Sequence, residues 1–185
     1  YMLIKALPMV LSAGSLIVAI TALVLTYRRS GQALEQSRKA ADSALWSGVQ
    51  QAVQRLIGFD PTVEPVGERL SNFRIASIAL VDELDGWKGL DTWLNAERSL
   101  GLVLARQVME VARDDDSVDQ RLDNLGPYQD WAYALGQNLR RFRKVGFDEE
   151  SAAKLQEIAE RNTQAVYDKH AWEFPPQSNR VRPLE

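Results

Sequence analysis

The chain has 185 residues, of which 45% are hydrophobic and 25% charged, with a formal net charge of -3, a single histidine and no cysteine. That balance excludes a disordered chain and the broad positive charge on which a nucleic-acid partner depends. The missing cysteines exclude disulfides, thiolate nucleophiles, thiolate zinc sites and Cys-ligated iron–sulfur clusters.

Residues 6–27, ALPMVLSAGSLIVAITALVLTY, carry no charge. At about 1.5 Å of rise per residue they cover the roughly 30 Å hydrocarbon core of a bilayer, which predicts one membrane-spanning helix. A cleaved signal peptide would have an apolar core of only about 7 to 15 residues and a small-residue cleavage site. Here the stretch closes on Tyr27, an interfacial aromatic, and then Arg28 and Arg29. The expectation is an uncleaved single-pass anchor over residues 1–29. Arg28, Arg29, Arg38 and Lys39 follow the span, against Lys5 alone before it, so the positive-inside rule places the rest of the chain at the cytoplasmic face of an inner or plasma membrane. Within the span, Ser15, Ala19, Ala22 and Thr26 fall on one face and form a small-residue stripe on which a second helix can pack.

After Ser30 and Gly31, Leu34, Ala41, Leu45, Val49, Ala52 and Leu56 share a helical face, which predicts a juxtamembrane helix over residues 30–57. Gly58, Asp60-Pro61 and Glu64-Pro65 end it. A helical domain is then expected over 66–174. Its first stripe is Leu70, Phe73, Ser77, Leu80 and Leu84, stopping at Asp85-Gly86. Its second is Leu90, Leu94, Glu97, Gly101, Leu104, Val108 and Val111, with Trp93 at the start.

The acids at 114–116 would oppose the dipole of a helix C-terminus, so they are placed between helices, and Ser117 with Gln120 reads as a capping box. Gly126-Pro127 is expected to break that short turn and open another helix, with Tyr128, Trp131, Leu135, Leu139 and Phe142 on its inner arc. Asp148 is expected to cap the last helix, with Leu155, Ile158, Ala159, Ala165 and Val166 as the buried stripe and Glu150–Lys154 and Glu157–Arg161 as supporting pairs. Residues 175–185, PPQSNRVRPLE, have no apolar period and are expected as an unstructured tail. The fold class is therefore all-α: an N-terminal transmembrane helix followed by a bundle of about five helices.

Chemistry is sparse. The usual zinc-protease, phosphate-loop, dinucleotide and nucleophile-elbow motifs are missing, and no catalytic, cofactor-binding or metal-ligating residue is assigned. A Ser-His-Asp triad would need His170, at the end of the last helix. An EF-hand counted from Asp114 would need glycine and glutamate where Asp119 and Leu125 stand. The most pointed feature is the basic arc of Arg140, Arg141, Arg143 and Lys144, suited to lipid or partner contact beside a membrane and equally to completing a helix C-terminus. Trp131 belongs to a core stripe, while Trp87 and Trp172 sit at turns and read as partner surface.

The functional reading is a membrane-anchored interaction, accessory or sensor module at the cytoplasmic face. Its partners are the bilayer and a protein partner or a second copy, with no nucleic acid. The alternatives are a small membrane-bound enzyme using carboxylates such as Asp82 or Glu97, and a self-assembling structural subunit. The apolar spacing of 7, 4, 4, 3 and 4 from Leu34 to Leu56 is too short to decide for a coiled coil.

Overall fold

The computed structural model describes the backbone of residues 3–84 and 86–174, and within those ranges the side chains from residue 26 onward. The regular elements among the described residues are helices: α1 (Leu3–Gln54), α2 (Gly67–Glu83), α3 (Leu90–Val111), α4 (Val118–Val145) and α5 (Glu149–His170). The chain divides into two units, Tyr1–Ala44 and Leu45–Glu185.

The first unit holds the beginning of α1. The side chains of residues 6–25, on which the expected span rests, lie outside the described residues, and so do Ser15, Ala19 and Ala22 of the packing stripe. Thr26, the last member of that stripe, is exposed, as is Tyr27. Among the described residues no helix is long and apolar enough to cross a membrane. Gly31 lies within α1 and does not interrupt it, in keeping with the modest cost of about 1 kcal/mol for one glycine in a helix. Leu34 and Ala41 were expected on a buried face but are exposed, because α1 is the only helix of this unit.

The second unit is a helical bundle with its own core. The end of α1 belongs to it: Trp46, Val49, Ala52 and Val53 are buried, as is Leu56 just beyond. The chain turns at 55–66, where Asp60 Oδ1 accepts from Thr62 N at 2.8 Å and from Thr62 Oγ1 at 2.7 Å, a local turn that replaces helical bonding. Then α2 buries Leu70, Phe73, Ser77 and Leu80 of the expected stripe, while its last member, Leu84, follows the helix and is half-buried; Gly89 enters α3 at a φ of 84°, a conformation glycine adopts freely.

The central element is α3, which packs against α2, α4 and α5. A helix covered on several sides needs apolar residues beyond one stripe, and α3 supplies Trp93, Leu100, Val103 and Ala105 besides the stripe expected from the sequence. Its partner α4 starts on the expected capping box: Gln120 N donates to Ser117 Oγ at 3.3 Å and Ser117 N donates to Gln120 Oε1 at 2.8 Å.

One expectation is corrected here. Gly126-Pro127 does not break the chain into two helices; Pro127 lies inside the 28-residue α4. Proline removes a backbone donor and crowds the residue before it. That residue is Gly126, which has no Cβ to clash. The burial of Tyr128, Trp131, Ala132 and Leu135 just beyond then outweighs the local propensity.

Asp148 caps α5 as expected, accepting from Ser151 N at 3.0 Å and also from the Ser151 hydroxyl, and these bonds hold its carboxyl below the usual range. Glu150 and Lys154 pair at 2.6 Å. The small residues Ala152 and Ala159 are the buried points of α5, with Tyr167 near its end. The rest of the expected stripe is only partly covered: Leu155 and Val166 are half-buried, Ile158 and Ala165 exposed. The reason is geometric. Although α4 and α5 both pack on α3, their backbones do not approach each other closely.

Candidate functional site

The gap between α4 and α5 is an open groove of about 520 Å³. Leu100 and Leu104 of α3 form its base, Pro127, Trp131 and Ala134 of α4 one side, and Leu155, Ile158 and Val166 of α5 the other. Its polar lining is confined to Glu97, Gln107, Asp130, Asn138, Asn162 and Lys169.

Glu97 is the one carboxylic or basic side chain among the buried described residues, at 6% exposure. Two indoles hold it. Trp93 Nε1, one turn earlier on α3, donates to Oε1 at 2.8 Å, and Trp131 Nε1 from α4 donates to Oε2 at 2.8 Å. Burial pushes the carboxyl above its ordinary value, while the two indole bonds pull it down and only partly offset this. No cation pairs with it among the described residues.

The position of Trp131 depends on a close approach. A Cβ at Gly101 would lie 2.2 Å from the Trp131 ring, so this glycine gives the indole its seat on α3. Tyr128 lies against the same ring, with centroids 5.4 Å apart, and burial pushes its phenol up. A second aromatic cluster runs from Trp46 to Trp87 at 5.5 Å and from Trp87, stacked, to Phe147 at 4.8 Å. Trp87 is thus packed between two rings instead of forming free partner surface.

The other residues singled out from the sequence fall elsewhere. Arg140, Arg141, Arg143 and Lys144 are exposed at the end of α4, where Arg143 Nη1 donates to Gln50 Oε1 of α1 at 3.0 Å. Asp82 is exposed on α2, in the cleft between α2 and α3 with Arg74, Asp91 and Arg98, so it shares no site with Glu97. His170 is half-buried and stacks on Trp172 at 4.5 Å, with the Arg106 guanidinium 3.8 Å from the Trp172 ring. In the loop from α3 to α4, Asp116 Oδ2 accepts from Arg113 N at 3.0 Å and from Asn124 Nδ2 at 3.2 Å, which is turn and helix-start bonding.

The groove itself was missed by sequence reasoning. Its signal was present in α5, whose expected stripe is wider than one helix contact covers, and in Glu97 and Gly101, two odd members of the α3 stripe. Compared with protein families, with curated proteins and with solved structures, the chain matches none.

Proposed function

We propose that the chain is a membrane-tethered sensor module: an N-terminal helical anchor over 6–27 carries a helical ligand-binding unit at the cytoplasmic face. The observation that carries this reading is the groove between α4 and α5. It leaves Ile158 42% exposed beside Leu155 and Val166, and its volume of about 520 Å³ is of ligand-site size. Sites for small ligands run to about 300–1,000 Å³, mostly apolar with a few convergent polar groups, and this lining has that composition. Glu97 supports a binding role better than a catalytic one, since both its oxygens already accept indole N–H groups.

The anchor and its direction rest on the uncharged stretch and the bias of Arg28, Arg29, Arg38 and Lys39 over Lys5. The basic end of α4 adds to this. Arg143 meets Gln50 within the last turns of α1, the part of the second unit that follows its entry at Leu45. Each basic residue near an anionic leaflet contributes about 1 kcal/mol, so Arg140, Arg141 and Lys144 favour a bilayer-facing role for this end. Occupancy of the groove is then passed to a protein partner or to a second copy through the stripe of Ser15, Ala19, Ala22 and Thr26.

The test is a fragment titration of the full chain in mild non-ionic detergent, with isoleucine δ1 methyl groups labelled for NMR. Shifts concentrated at Ile158, leaving Ile75 and Ile78 of α2 unmoved, are the expected result. A set of apolar and amphipathic fragments that never moves Ile158 would count against the reading. Orientation is checked separately by a reporter that is active only outside the cytoplasm, fused to the C-terminus. It should be silent, and strong activity would reverse the topology.

A further inference from the structure

Glu97 lies on the groove, and its carboxylate has two neutral donors and no cation. Each carboxylate oxygen accepts through about two lone-pair sites, so one indole bond apiece leaves acceptor capacity on both. Charges along the groove are unbalanced: among the described residues that line it, Glu97 and Asp130 are acidic and Lys169 alone is basic. The Trp131 ring, which bonds Glu97, also lines the groove, and an indole is the best aromatic partner for a positive charge. The remaining lining is largely apolar.

Size limits what can occupy this place. The volume of about 520 Å³ is within the roughly 300–1,000 Å³ of small-ligand sites. A compact small molecule fits.

We propose that the groove between α4 and α5 binds a small organic cation, its ammonium on Glu97 beside Trp131 and its apolar body among Leu100, Leu104, Leu155 and Ile158. The inference rests on the ligand-binding reading above and adds the charge and the residue that selects it.

The experiment uses the full chain in mild non-ionic detergent with labelled isoleucine methyls and three probes of similar size: 3-phenylpropan-1-ammonium, 3-phenylpropan-1-ol and 3-phenylpropionate. The cation should bind about tenfold or more tighter than the alcohol, as read from Ile158 shifts, and the anion more weakly than either. Glu97→Gln should erase the advantage of the cation over the alcohol. Ile158→Arg, on an exposed position, should remove binding of both. Should Glu97→Gln fail to fold, the ranking of the three probes on the unaltered chain still decides. If the alcohol binds as tightly as the cation, the charge inference falls and the groove reading stands. If no probe moves Ile158, both fall.

Discussion

At the scale of single residues, the unit turns on the contact of Gly101 with Trp131 and on the two bonds from indoles to Glu97. Gly101→Ala would set a methyl 2.2 Å from the Trp131 ring, and the ring cannot swing away without drawing Nε1 off Glu97. Overpacking of this kind costs about 1–3 kcal/mol, so the urea midpoint should fall and tryptophan emission should shift to the red. An unchanged midpoint would mean that the ring is not seated on Gly101. Glu97 gives a pH dependence whose sign follows from burial. Its carboxyl is raised above 4.5 in the folded chain, so between the unfolded and folded values the native state binds more protons than the unfolded one. Stability from this group is therefore greatest at low pH and declines as pH rises past about 4.5. The unfolding free energy of the native chain relative to Glu97→Gln should fall as pH rises above about 4.5, and a rise would mean that the indole bonds outweigh burial. Glu97 and Gly101 stood in the expected stripe of α3, but nothing local announced their partner. Trp131 lies 34 positions beyond Glu97, and a periodic pattern reports which face is buried without naming what meets it.

At the scale of elements, caps were legible and the proline was not. Ser117 with Gln120, and Asp148, start their helices where the spacing placed them, because a cap is a local bond between neighbours in sequence. Pro127 reads as a helix break by every local rule, and only the burial of residues on its far side keeps α4 continuous. The same non-locality hid the groove, since whether α4 and α5 touch depends on how each sits on α3. If α4 is continuous against its own propensity, Pro127→Ala should stabilise the unit. It restores a donor toward the carbonyl of Asp123 and removes a residue that costs about 3 kcal/mol in a helix interior relative to alanine. Neighbouring packing already compensates part of that, so a gain of about 1–2 kcal/mol in a urea melt is expected. A loss would show that the proline sets a bend that the core needs.

At the scale of the whole molecule, the question is where the folding unit begins. Sequence patterns set residues 30–57 apart as a juxtamembrane helix, yet the second unit starts inside that stretch at Leu45. Val49 is 0% exposed, Val53 1% and Leu56, in the turn that follows, 0%, so the end of α1 and the residues just past it are part of the core and not only a connector. Burying each such side chain is worth about 1.5–3 kcal/mol, and three together approach the 5–15 kcal/mol that holds an ordinary domain folded. Trp46 and its contact with Trp87 add to this. Two truncations separate the cases. A chain beginning at Gly31 keeps every buried residue of α1, and circular dichroism with a urea titration should find it helical with one cooperative transition. A chain beginning at Gly58 keeps α2 to α5 but loses Trp46, Val49, Val53 and Leu56. It should lose that transition and expose apolar surface of α2 and α4. A cooperative melt from the shorter chain would place the core within α2 to α5 alone, whereas its absence would make the end of α1 an essential part of the folding unit.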